Sequence, residues 1–315
     1  MKQRRWFSQE AIALCEVAGE ADAVAAMKKL AAELIDDAAF DQPPFDPAIL
    51  ASFRGMRQVR HRLMESAAWL VPERGGLVIE VNQNHPVGKQ NLSVNHETCH
   101  ILVPTYSGHL VDDVETGTFS DKGAEEELLC DIGGAALLLD ERWLRSHALN
   151  AGPSLAALFH LAELFGASLQ ATALQLTELG LWPLAFVFWE EDFRKAERLT
   201  TTLPLLPGFE GVGRPTPKWR VKHVYVTSTF RHFIPPNKSV SNDSLVAACG
   251  AGNQMTSGVE NFDLGNGIVR LYCENIHAPY RWGTTIRRRV ISLLLPMKQA
   301  SSLVMCPKNH QMEIL

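Results

Sequence analysis

Two histidines four residues apart, with a glutamate directly after the first, stand in the run His96-Glu97-Thr98-Cys99-His100. On an α-helix such residues lie over one another on one face, so His96 and His100 can offer imidazole nitrogens to a single ion. Glu97 projects beside that ion, within reach of a water that the metal activates. Zinc brings the pKa of water down to roughly 7, so the pattern holds both a nucleophile and a general base. The chemistry it points to is hydrolysis.

Catalytic zinc keeps three protein ligands and one open position. A third ligand is offered by Glu125, Glu126 and Glu127, in the segment from Asp121 to Asp131. Glu127 is preferred. Asp131 follows it by four residues, one turn along the same face, where it can accept the free ring N–H of a metal-bound histidine. Neither Glu125 nor Glu126 has a carboxylate four residues on. A histidine pair and an acidic run are each, alone, also what a solvated helix face looks like; together they point to a metal site. Two imidazoles and a carboxylate suit Mn2+ or Fe2+ as well as Zn2+. Cys99 reads as a small buried apolar residue in preference to a fourth ligand.

The stretches Leu77 to Asn82, Lys89 to Leu102 and Glu127 to Leu139 resemble the ImmA/IrrE family of bacterial metallo-endopeptidases, a likeness that extends over roughly residues 40 to 200. The resemblance implies the order strand, metal helix, loop, glutamate helix. It also implies His96, His100 and Glu127 as zinc ligands, Glu97 as base, and helix-turn-helix repressors as substrates. Two departures stand out: Thr98-Cys99 where the family has Leu-Gly, and Gly133-Gly134 where it has Phe-Ala. Two helical glycines cost about 1 kcal/mol each relative to alanine, which points to close packing against the metal helix.

Length and composition frame this site. A chain of 315 residues exceeds one ordinary core, so two or three domains are expected. The longest apolar run, Leu181 to Trp189, contains Pro183 and is far short of the roughly 20 residues of a membrane helix. After Lys2, Arg4 and Arg5 come Glu10 and Glu16, which break any signal-peptide core. The six cysteines have no paired spacing, as expected of reduced thiols, so a cytoplasmic location is expected. Charge divides unevenly. Residues 1–200 hold 17 Lys+Arg against 29 Asp+Glu, a balance of −12, which leaves 13 against 6, or +7, for residues 201–315. An acidic first part suits a basic protein substrate, and a basic second part suits a small anionic effector or nucleic acid.

The expected fold class is α+β. It comprises a zincin-like metallopeptidase domain with N-terminal helices at 1–150, a helical, helix-turn-helix-like subdomain at 151–202, and a β-rich C-terminal domain at 203–315. Apolar spacing at Leu14, Val17, Val24, Met27, Leu30 and Leu34 predicts one or two helices over 8–38. Leu77 to Val81 is a strand after the Arg74-Gly-Gly turn. Asn91 or Ser93 is expected to cap the metal helix, with Pro104 ending it, and Ser120 or Asp121 to cap the glutamate helix. In the loop between them, Tyr106 and His109 are candidates for oxyanion stabilisation. Residues 154–181 read as helix, Phe165-Gly-Ala-Ser168 turn, helix. The second helix carries no lysine or arginine, so direct DNA binding is disfavoured. A Pro/Gly-rich stretch from Pro204 to Pro217 precedes strands at Trp219–Val226, Ile268–Tyr272 and Val290–Leu295. Phe233 to Val240 is similar to a loop of the GAF-like sensor domain that some relatives carry. Arg287-Arg288-Arg289 is too short for a nucleic-acid patch.

These features predict an intracellular zinc endopeptidase acting on a helix-turn-helix repressor. The alternative is a non-catalytic metal-containing regulator or effector sensor working through the C-terminal region.

Overall fold

The computed structural model describes residues 5–104, 123–194, 196–197, 215–264, 267–282 and 285–297. Two compact units emerge, Met1–Asn150 with Phe159–Gln175, and Ala151–Leu158 with Leu176–Leu315. Tyr106, His109, Ser120, Asp121 and the stretch from Pro204 to Gly213 lie outside the described residues.

In the first unit, α1 (Gln9–Ala18) and α2 (Ala23–Asp37) realise the apolar spacing of residues 8–38. The Ser8 and Asp22 side chains accept from the Ala11 and Ala25 amides, capping the two helices. Gly19 closes α1 at φ +65°, a conformation that costs glycine little. Leu14, Met27, Leu30 and Leu34 are buried, whereas Val17, counted on the apolar face, is exposed. After α3 (Pro47–Ser52) come β1 (Met56–Arg62), β2 (Ala68–Glu73) and β3 (Gly76–Asn82), ordered β1-β3-β2. β1 runs parallel to β3, and β2 is antiparallel to it. Met56, Leu70, Ile79 and Val81 form a small core with Val94 of α4 (Val87–Leu102). This seats the metal helix against the sheet.

α4 begins earlier than the cap residues suggest. It starts after Pro86, so Asn91 and Ser93 lie inside it and do not cap it. Ser93 Oγ instead donates to the Lys89 carbonyl, and Asn91 Nδ2 donates to the Gly166 carbonyl, both at 2.9 Å. α5 (Gly123–Leu138) packs on α4 and α2. α6 (Glu141–Ala151) follows, and α7 (Leu155–Leu164) and α8 (Leu169–Leu179) form the helix-turn-helix-like pair. Their turn is spent within the first unit. A Cβ on Gly88 would fall 2.6 Å from the Ala167 carbonyl carbon and the Ser168 nitrogen, so the start of α4 butts against the turn. Phe165 packs edge-on against Phe45 and His147.

The second unit is built on β4 (Ala185–Asp192), β5 (Lys218–Val226), β6 (Thr256–Asp263), β7 (Ile268–His277) and β10 (Arg289–Pro296), in the order β5-β4-β10-β7-β6 and antiparallel throughout. β8 (Tyr280–Trp282) and β9 (Thr285–Arg287) pair with each other. Part of the apolar run from Leu181 to Trp189 is β4, buried from Ala185 to Trp189, which accounts for its unbroken apolarity. α9 (Leu245–Gly252) packs on β6, β7 and β10, and its Val246 and Cys249 share a core with Val187, Trp189, Trp219, Phe230 and Ile234. No described helix is long and apolar enough to cross a membrane.

One buried side chain stands out as costly. Asn95, on α4 next to His96, is fully buried, and among the described residues neither its Oδ1 nor its Nδ2 has a hydrogen-bond partner. Desolvating an unpaired polar group costs about 1–3 kcal/mol. Asn95→Leu, close in volume, is therefore expected to raise the unfolding free energy by about that amount in denaturant melts. An unchanged or lower midpoint would mean that the amide is satisfied in solution.

Candidate metal centre

α4 presents His96 and His100 one turn apart, and α5 brings Glu127 opposite them. The two Nε2 atoms are 3.2 Å apart, and the Glu127 carboxylate lies 3.3 Å from that of His96 and 3.6 Å from that of His100. All three donors fall within 4.8 Å of one another. Behind them, His96 Nδ1 is 2.9 Å from Asp131 Oδ1 and His100 Nδ1 is 2.8 Å from Glu126 Oε1. A carboxylate only accepts, so each Nδ1 carries a proton, and a ring that has only that proton turns a bare Nε2 lone pair inward. Two such lone pairs and a carboxylate facing one another favour a proton or a metal cation between them. The 3.2 Å spacing is close to the ~3.3 Å edge of a tetrahedron with Zn–N bonds of about 2.0 Å. The donor set fits a divalent ion.

The acidic surroundings favour positive charge at this point. Burial lowers the pKa of His96, but the hydrogen bond to Glu127 and the charges of Glu97, Glu127 and Asp131 outweigh it, and the net shift is upward. The hydrogen bond to His96 pulls Glu127 down against its own burial. Burial pushes Glu97 up, against the two histidines and with Glu127. Glu97 has no hydrogen-bond partner among the described residues. It lines an open cleft of about 260 Å³ with Ala68, Trp69 and Leu70 of β2, the two histidines and Glu127.

The five residues His96, Glu97, His100, Glu127 and Asp131 thus come together as the helical spacing requires. Glu126 is the residue that the spacing argument passes over. It lacks a carboxylate four residues on, yet it sits one step around α5 from Glu127 and meets His100. Glu125 is turned elsewhere and accepts from the Phe7 and Ser8 amides. Each metal-side histidine therefore has its own carboxylate. Glu126→Ala is expected to lower metal affinity about 10–100-fold in chelator competition, with Glu126→Gln losing less. Equal affinity in all three proteins would show that the His100 ring is fixed by packing alone.

His100, Glu126 and Cys130 form a second set of converging donors, on the Nδ1 side. Cys130 is buried, and burial drives its thiol well above the ordinary range, which disfavours the thiolate that a metal needs. Cys99 is fully buried and likewise raised by burial, consistent with an apolar role. The glycine pair does what close packing requires. A Cβ on Gly134 would lie 3.0 Å from the His96 nitrogen, and one on Gly133 would lie 2.6 Å from Cys99 Sγ.

Comparison with known proteins gives three findings. None of the curated proteins matches the chain. A solved structure named as a Mycobacterium tuberculosis transcriptional regulator is similar in fold, with a TM-score of 0.54 at 15% identity, over 89% of this chain and 78% of that one. Residues 51–177 match the family model described as Peptidase_M78, IrrE N-terminal-like domain. The matched segment contains both α4 and α5, so the part of the chain that holds the candidate metal centre carries a domain similar to the IrrE N-terminal-like domain of the Peptidase_M78 family.

Proposed function

We propose that this protein is a zinc-dependent endopeptidase that cleaves a protein substrate, a helix-turn-helix transcriptional repressor, in the cytoplasm. The observation that carries the reading is the convergence of His96 Nε2, His100 Nε2 and the Glu127 carboxylate, with the outer nitrogen of each ring held by its own carboxylate. The M78 domain supports metallopeptidase chemistry, and the regulator-named structural neighbour is compatible with a role in transcriptional control. His96, His100 and Glu127 would hold the ion, with Asp131 and Glu126 fixing the tautomers. When bound, the ion supplies Lewis acidity that makes water a nucleophile near neutral pH. Glu97 takes the proton from the attacking water and hands it to the leaving amine, a shuttle suited to a cleft-lining carboxylate that no neighbour claims. The second unit, with its basic balance and the GAF-like loop similarity, is the effector-responsive part of this proposal.

The test is cleavage of a co-encoded helix-turn-helix repressor by purified full-length protein, with metal content measured before chelation, after it and after zinc is restored. Cleavage that disappears with the metal and returns with zinc supports the reading. Stoichiometric metal without cleavage of any candidate repressor, with or without effectors, would turn the assignment to a non-catalytic regulator.

A further inference from the structure

The three arginines Arg287, Arg288 and Arg289 do not form one patch. Arg288 reaches Glu191 at 2.9 Å and lies over the Trp219 ring. Arg287 approaches Glu190 at 3.8 Å. Arg289 goes elsewhere. Its guanidinium is held between two aromatic rings, 4.6 Å from the Tyr280 centroid and 5.5 Å from that of Phe188. Its Nε donates to the Ala278 carbonyl at 3.0 Å, while neither Nη has a hydrogen-bond partner among the described residues. The neighbouring carboxylate is already engaged, because Glu190 accepts from the Tyr280 hydroxyl at 2.7 Å and faces Arg287. Two guanidiniums therefore share one carboxylate, a local excess of positive charge. His223 stands next to this cluster, paired with Phe188 across the β4–β5 ladder, and feels the Arg289 charge.

We propose that Arg289, clamped between Phe188 and Tyr280 with Arg287 and His223 beside it, is the anion-binding residue of the second unit, which takes a small ligand through a carboxylate or phosphate group. The clamp fixes the guanidinium plane, and with Nε already spent the two Nη groups form the remaining edge of the fork. That edge matches two oxygens of a carboxylate or phosphate. A guanidinium so held loses little freedom when the anion arrives, since its rotamers are already restricted by the rings. The burial that lowers the Arg289 pKa leaves it charged throughout the working range of the protein, because arginine starts so high. The site is independent of the metal centre and stands whether or not the chain is a peptidase.

The test uses the full-length chain with its metal chelated, so that anions cannot bind at the histidines. Inorganic phosphate and malonate are titrated separately at constant ionic strength against a chloride control, and thermal midpoints are followed together with the arginine side-chain resonances in 15N NMR. The expected result is a saturable rise of about 5 °C at a ligand concentration a hundred times Kd for at least one probe, with the Arg289 Nε–H signal shifting in parallel. The stronger of the two probes identifies the group. Arg289→Lys keeps the charge and loses the fork, and is expected to abolish the rise; Arg270→Gln, an exposed arginine on β7, is expected to keep it. No saturable shift with either probe, or an equal shift in Arg289→Lys, overturns the proposal. If Arg289→Lys does not fold, the wild-type Nε–H titration decides.

Discussion

Glu97→Gln is expected to cut peptide cleavage by about 10²- to 10⁴-fold while metal content stays at the wild-type level. Glutamine keeps the size of the side chain and removes only its ability to take a proton. Glu97 contacts neither carboxylate that orients the histidines, and no described hydrogen bond depends on it, so the ligand geometry has no reason to relax. Burial already disfavours its charge, so the neutral amide should be tolerated or slightly stabilising. Single-turnover cleavage and metal analysis on the same preparation check the split. A variant that keeps more than a tenth of the activity would place the base elsewhere, and one that loses its metal would make Glu97 part of the binding set.

The glycine pair on α5 carries the second large effect. At Gly134 a methyl would lie 3.0 Å from the nitrogen and 3.1 Å from the Cα of His96, both backbone atoms that cannot swing aside. α4 would have to back away by a few tenths of an ångström, comparable with the ~0.5 Å tolerance of a preorganised site. Gly134→Ala is therefore expected to weaken metal binding at least about 10-fold and to cost about 1–3 kcal/mol of stability, as overpacking does. At Gly133 the methyl would meet Cys99 Sγ at 2.6 Å and Met27 Sδ at 2.7 Å. Those are side-chain atoms, and Met27 can bend, so Gly133→Ala should lose stability more than metal affinity. Adding Cys99→Ala should recover part of that loss, a coupling that a double-mutant cycle reads directly. Purely additive losses would mean that the helices tolerate the methyl without the predicted contact.

These results also mark what a linear reading reaches. His96, Glu97, His100, Glu127 and Asp131 are legible because an α-helix converts spacing into direction, and the glycine pair because its helical cost demands a reason. Glu126 is not legible in that way. Its partner lies on another helix, and only the angle at which α4 and α5 pack decides whether it meets His100 or solvent. β1 leaves little trace since Arg57, Arg60, His61 and Arg62 give it no apolar alternation. Asn91 and Ser93 point to a later start of α4 because both are good caps in isolation, whereas the restricted backbone of Pro86 begins the helix sooner. Arg289 shows the limit from the other side: a tribasic run looks uniform in sequence, and the strand and hairpin send its members to different neighbours.

The turn between α7 and α8 has a consequence for how the molecule comes into being. Residues 159–175 belong to the first unit although they follow the point where the chain has already entered the second. When the ribosome has released only the first 150 residues, Phe45 still lacks Phe165, Asn91 lacks the Gly166 carbonyl, and the start of the histidine helix has nothing to butt against. The candidate metal centre is therefore the product of a chain that must double back, and it can be completed only after the polypeptide has begun to build its neighbour. A gene cut at that apparent boundary would encode every candidate metal ligand and still leave the helix that bears two of them without its end support.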